Sequence, residues 1–207
     1  MTEQVHDSPG FPRRLSNGRA FVYVIPCRDD TRFKVGFARD PIHRWRSFHA
    51  RFYAYFDLQR GLLVEATRVA EARAIEQRLL SEFRTFEAPA PLDIAALAGG
   101  SSEWLRGVLD DVVAQAIALA SARGLVLHRP ASDWLRAHLL ERRELLFDWS
   151  MRLLEQIEYE REHGGPSCPP VAARALRDTL DAYSCTGVEL ADHLPAAVVR
   201  WLRQGYA

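Results

Sequence analysis

Lysine and asparagine are almost missing from this sequence: Lys34 is the only lysine and Asn17 the only asparagine, beside 26 arginines. Such a bias is as easily produced by the codon composition of a genome as by selection for guanidinium chemistry, so arginine content alone points to no ligand. Net charge is missing as well. The 27 basic residues are balanced by 27 acidic ones, which excludes a chain that holds polyanions through bulk charge. Cysteine is scarce, and Cys27, Cys168 and Cys185 stand far apart with no C-x-x-C among them. That excludes a disulfide framework or a zinc knuckle and fits a reducing cytoplasm. No apolar run approaches the roughly 18 to 20 residues of a membrane span. Met1 to Arg14 is polar, with Pro9 and Pro12 and no apolar leader segment. The expectation is a cytoplasmic protein that does not engage a membrane.

What is present is unevenly distributed. Hydrophobic residues make up 48% of the 207 positions, enough for one domain or two small ones. Residues 11 to 60 hold eleven basic side chains, Lys34 and ten arginines, against four acidic ones, Asp29, Asp30, Asp40 and Asp57. From residue 108 onward the balance reverses to eleven arginines against fourteen carboxylates, so a phosphate-binding surface belongs to the amino-terminal half.

Residues 21 to 26 (FVYVIP) and 32 to 37 (RFKVGF) are short β-branched and aromatic runs separated by CRDDT. They predict a β-hairpin with Asp29 and Asp30 in its turn and with Gly36 allowing a bend or a close approach. Asp40 suits an N-cap and Pro41 the first helical position, and Ile42, Trp45, Phe48 and Phe52 follow at helical spacing. A helix of about three turns is expected there. Trp45, Phe48, Phe52, Tyr53 and Tyr55 interleave with arginine, but their spacing assigns them to the core rather than to base stacking. Residues 58 to 66 (LQRGLLVEA) read as a third strand, and Thr67 as the cap of a helix running to about Arg84 on the stripe Ala72, Ile75, Leu79 and Phe83. After EAPAPLDIAALAGG, Ser101 and Ser102 open a helix that carries Trp104, Val108, Val112 and Ile117 and ends near Gly124. The expected architecture is α+β: a disordered lead at 1–19, a small three-stranded sheet flanked by helices at 20–124, and an α-helical unit at 125–207.

In that last unit Ser132 caps a helix reaching Glu162, with Leu139, Leu146 and Leu153 seven apart and Trp149 beside them. HGGPSCPP breaks it, and shorter helices follow near 171 to 183 and 195 to 204. A leucine seam left uncovered would pair two copies into a homodimer through these carboxy-terminal helices. Arg142 and Gln156 interrupt the seam, and packing by residues 171 to 204 would bury it instead, so both outcomes stay open.

Functional candidates gather in the front half. Tyr23 on the first strand and Lys34 on its partner can share a face, because alternate residues of a strand project to the same side. Arg44 lies on the next helix and Glu76 on the helix after the third strand. The ordered segments Phe21-Val22-Tyr23, Lys34-Val35-Gly36, the run from Phe37 to Arg44, and Glu76 within EQRLLSEF resemble the GIY-YIG nuclease superfamily. Ser102-Glu103-Trp104-Leu105 further resembles the Glu-Trp-Phe ending of its phage-associated DNA-binding branch, in which a Lys-Val/Ile-Gly second motif is common. The resemblance covers about residues 20 to 107.

That resemblance implies DNA as the partner and hydrolysis of phosphodiester bonds with a divalent cation. Mg²⁺ or Mn²⁺ would be held by Glu76, since such ions prefer hard oxygen ligands. It implies Arg44 as a clamp on a phosphate oxygen and Tyr23 with Lys34 as groups that position water. Arg39, His43, Arg46, His49 and Arg51 surround Arg44 and are candidate DNA contacts. Two positions depart from the family pattern. Lys34 stands where the hallmark has tyrosine, and an ammonium accepts no proton at its ordinary pKa. No asparagine follows the site. Tyr23, His43 or His49 could then act as the base, or Lys34 could bind phosphate. A non-catalytic DNA-binding module and a helical interaction or assembly protein are the alternative readings.

Overall fold

A computed structural model describes residues 18–94, 103–163 and 171–205. The expected disordered lead falls outside them up to residue 17, as do Ser101 and Ser102 and most of the segment expected to break the long helix. Five strands, rather than the expected three, form one antiparallel sheet. They are β1 (Ala20–Pro26), β2 (Arg32–Ala38), β3 (Leu62–Ala66), β4 (Trp104–Arg106) and β5 (Val126–His128), in the order β4-β2-β1-β3-β5. With eight α-helices among the described residues, the protein is α+β. The two strands that sequence reading missed are the edge strands. Each has only three residues, too few to carry an alternation signal.

The missed strand β4 changes the reading of Trp104. It pairs with Lys34, and Leu105 pairs with Phe33, so the tryptophan belongs to the sheet and not to a helix. Gly107, at φ +79, turns the chain, and helix α4 (Leu109–Ala122) begins after it rather than at Ser101. The helix expected over residues 41 to 52 is likewise two, α1 (Pro41–Phe48) and α2 (Phe52–Tyr55), because His49 is extended at φ −151. Asp40 does cap α1, its carboxylate accepting from the His43 N–H at 3.0 Å, with Pro41 in the first turn. Helix α3 (Val69–Glu82) starts just past Thr67, whose N–H and hydroxyl both donate to the Glu71 carboxylate, at 3.1 and 3.0 Å.

The two faces of the sheet differ in chemistry. Val22, Val24, Phe33, Val35, Leu62, Val64 and Leu105 pack on Ala72, Ile75 and Leu79 of α3 and on Val112, Val113, Ala116 and Ala120 of α4. That side is a dry, mostly aliphatic core. On the other side Tyr23 meets Trp45 and Phe48 of α1, Trp45 meets Phe52 of α2 and Trp134, and Phe56 stacks on Trp104. The aromatics of the first helices are therefore core, as their spacing predicted, with Tyr55 half-buried.

The chain divides into two compact units, one of which spans Arg13–Leu135 and holds the sheet. Its boundary lies beyond Gly124 because β5 belongs to the sheet and because the Ala131 and Ser132 N–H groups donate to the carbonyls of Gly61 and Leu58, at 2.9 and 3.1 Å. The division falls within α5 (Ala131–Leu140). The other unit is built on Arg136–Ala207 and contains α6 (Arg143–His163), α7 (Val171–Cys185) and α8 (Ala196–Gln204). The leucine seam does not run along one helix there: Leu139 lies on α5 and Leu146 and Leu153 on α6, with Arg142 between. All three leucines are buried, α7 and α8 pack on α6, and the Tyr183 hydroxyl donates to the Leu139 carbonyl at 3.0 Å. The three leucines are thus covered inside their own unit. Among the described residues no helix is long and apolar enough to cross a membrane.

Candidate functional site

Register builds the site from the middle of the sheet outward. Tyr23 of β1 stands opposite Gly36 of β2, Ile25 opposite Lys34, and Lys34 opposite Trp104 of β4. Residues directly opposed in an antiparallel ladder share a face, so Tyr23, Lys34 and Trp104 all point to the aromatic side. Gly36 makes the arrangement possible. A Cβ at that position would lie 2.4 Å from the Tyr23 hydroxyl oxygen and 2.6 Å from Cζ, so the phenol ring lies flat over a residue that must lack a side chain.

The charged groups in this buried place have partners, whereas the indole Nε1 of Trp45 beside them has none among the described residues. The Tyr23 hydroxyl is hydrogen-bonded to the Arg44 guanidinium; burial holds its pKa well above the ordinary 10.0, against the pull of Arg44. Arg44 itself lies over the Phe48 ring, with Cζ 4.6 Å from the ring centroid. Lys34 is 0% exposed. Its Nζ donates to Glu103 Oε2 at 2.8 Å and sits 5.1 and 5.3 Å from the ring centroids of Trp104 and Phe48, so a carboxylate and two π-faces offset part of its lost hydration. Burial lowers the Lys34 pKa, and Glu103 works in the opposite direction.

Glu76 reaches this cluster from the other layer. It is next to the buried Ile75 on α3, which packs on the aliphatic face, yet it is only 7% exposed and meets charges of the aromatic face. The route is the open edge of β2. β4 pairs with β2 only over Arg32–Lys34, and the Val35 N–H still donates to the Glu103 carbonyl at 3.0 Å. Two residues on, the Phe37 N–H points to the same edge and is accepted by the Glu76 carboxylate. Burial, and then the nearby Glu103 charge, push the Glu76 pKa from 4.5 up to about 7, with Lys34 and Arg73 opposing.

Tyr23, Lys34, Arg44 and Glu76 thus come together from β1, β2, α1 and α3, each within electrostatic reach of others in the group. A fifth member is Glu103, to which the motif resemblance assigns no role. The clue available was the short Trp-Leu-Arg run ahead of Gly107, which reads as a strand as well as a helix start. With two cations and two carboxylates the cluster is formally neutral. It is also compatible with a hard divalent cation: Glu76 and Glu103 set two oxygens-bearing groups near each other at a sheet edge, and such an ion keeps several of its waters. Among the described residues there is no group of three or more His, Cys, Asp or Glu side chains arranged to hold a metal.

The surrounding basic candidates divide. Arg39 and His43 are exposed and Arg46 is half-buried around α1. His49 and Arg51 belong instead to the corner between α1 and α2, where they line a cleft beside the β1–β2 turn. Comparison with family models, with curated proteins and with solved structures gave no match.

Proposed function

We propose that the sheet unit is a GIY-YIG-like DNA-binding domain whose Tyr23–Lys34–Arg44–Glu76 cluster hydrolyses phosphodiester bonds with a divalent cation. The observation that carries this reading is the meeting of those four side chains, from four separate elements, at one edge of the sheet. Gly36 supports it, since its missing side chain leaves room for the Tyr23 ring. In this reading Arg44 binds a phosphate oxygen through one edge of its guanidinium while the Tyr23 hydroxyl and the Phe48 ring hold its orientation. Glu76 holds Mg²⁺ or Mn²⁺, with Glu103 beside it, and the bound ion would supply Lewis-acid polarisation of the phosphate. Lys34 contributes a positive charge in a place of low dielectric, where charge developing on the phosphate is best stabilised.

A second reading, DNA binding without cleavage, is favoured by the enclosure of Lys34. Its ammonium is wholly buried and donates to Glu103, and it therefore stands apart from the attacking water. Plasmid nicking with Mg²⁺ or Mn²⁺ separates the two. A nuclease nicks in the presence of metal and loses nicking in Glu76→Gln, while Arg44→Ala weakens both cleavage and retention. A binder retains DNA in a salt-dependent way and nicks nothing under any metal.

A further inference from the structure

Beside the β1–β2 turn lies an open cleft of about 460 Å³, within the range of about 300–1,000 Å³ that small ligands occupy. It is lined by residues of both signs, Asp29, Asp30 and Asp93 with Arg32 and Arg51, and by the rings of His49 and Tyr55. Several of these groups are held in place before any ligand arrives. Asp30 accepts from the Arg32 backbone N–H at 3.1 Å and from its guanidinium. The Tyr55 hydroxyl donates to Asp93 at 2.9 Å, and its ring stacks on His49 at 4.9 Å with 19° between the planes. The Arg51 N–H donates to His49 Nδ1 at 3.1 Å, which leaves Nε2 as the protonated nitrogen of a neutral ring. The cleft wall is chemically quiet, because burial pushes the Cys27 thiol up to about 11.

This lining selects against charged ligands. A phosphate would meet three carboxylates, and an amine or guanidinium would meet Arg32 and Arg51. A neutral planar ligand with adjacent N–H donors on one edge and acceptors on another satisfies both signs at once. Among the nucleobases guanine has that pattern: N1–H and N2–H₂ suit a carboxylate, and O6 and N7 suit a guanidinium. We propose that the cleft is a binding site for a single unstacked guanine, with Asp29 and Asp93 on its N1–H and N2–H edge and Arg51 on O6 and N7. Its biological use rests on the DNA-binding reading above. Arg32, which lines the cleft, and Lys34 of the cluster are two residues apart on one face of β2, about 7 Å along the strand. A base turned out of a strand whose phosphate lies on Arg44 would enter here.

The test uses the full chain and calorimetric titration with guanosine, adenosine, cytidine and thymidine in separate runs. Guanosine alone is expected to give saturable binding, at least about tenfold weaker in Asp29→Asn and in Asp93→Asn, each of which removes a charged acceptor. Asp93→Asn keeps an amide oxygen for the Tyr55 hydroxyl, and Asp29 lies in an exposed turn, so thermal melting can verify that at least one variant is folded. No guanosine binding by the wild-type chain, equal binding of all four nucleosides, or unchanged affinity in both folded variants would overturn the proposal. Guanosine binding in a chain that neither nicks nor retains DNA keeps the guanine site and removes the nuclease and DNA-binding readings, whereas nicking without guanosine binding does the reverse.

Discussion

Val22 and Tyr23 are neighbours on β1 and are both buried, yet they face opposite worlds. Val22 enters a layer made almost wholly of aliphatic carbon between the sheet and helices α3 and α4. Tyr23 enters a layer of rings in which an arginine, a lysine and two glutamates are interleaved. The first layer needs only volume and shape. The second needs a partner for every charge it encloses, and the structure answers with Glu103 for Lys34, Tyr23 for Arg44 and the Phe37 N–H for Glu76. One sheet thus separates an apolar layer from a charged, aromatic one across a single layer of backbone, and the separation can be attacked from either side.

The largest effect is expected from the dry side. Leu79→Ala removes a fully buried side chain from the α3 stripe and should cost about 2–5 kcal/mol in urea unfolding, while the DNA affinity proposed above stays the same in the folded fraction. A fall in affinity of the folded fraction would mean that the two faces are not independent. On the polar side, Glu103→Gln keeps the shape of the side chain but removes the carboxylate charge to which the Lys34 ammonium donates. The expected cost is about 1–3 kcal/mol, moderated because Glu103 is partly in contact with solvent. The double variant Lys34→Met with Glu103→Gln should be more stable than the sum of the single losses, and strict additivity would show that the pair is not coupled.

The smallest effect is a pH slope. The Glu76 pKa rises from 4.5 to about 7 on folding, so between those values the folded chain binds more protons than the unfolded one. Stability therefore falls as pH rises through that window, and the full cost is present above it. The change should be on the order of 1 kcal/mol and no more than about 3 kcal/mol. Glu76→Gln, compared with the wild-type chain in metal-free buffer containing a chelator, should flatten the slope. An unchanged slope would place Glu76 in an environment less buried than the one described.

Much of the central sheet was legible because its signals are local. The runs 21–26 and 32–37 are rich in β-branched and aromatic residues and are divided by a turn sequence, and Asp40-Pro41 carries cap and first turn in adjacent residues. Of the stripe Ala72, Ile75, Leu79 and Phe83, the first three are buried on α3 as expected, and Phe83 is half-buried as the residue that ends the helix. The errors occur where a local signal meets a longer-range demand. Residues 41 to 52 have one helical pattern, but the chain must bend at His49 to lay Phe52 and Phe56 on the aromatic face. The leucines at 139, 146 and 153 fit a heptad and still belong to two helices, because they fill the interior of a small unit.

By itself, the sequence determined the β1–β2 hairpin, the capped start of α1 and most of the buried stripe of α3, since each depends on residues close together in the chain, whereas the structure decided that Gly36 is needed because the Tyr23 ring lies over it. Only the tertiary structure decided that a three-residue strand seals one edge of the sheet and brings Glu103 to Lys34 across 69 positions. It also decided that Glu76, on a helix of the aliphatic layer, reaches past that strand to the charges of the other face. Contacts at such separations leave no periodicity behind. They exist because closing the loop and burying the lysine are offset by the carboxylate and the rings that meet it, an outcome that depends on the whole fold.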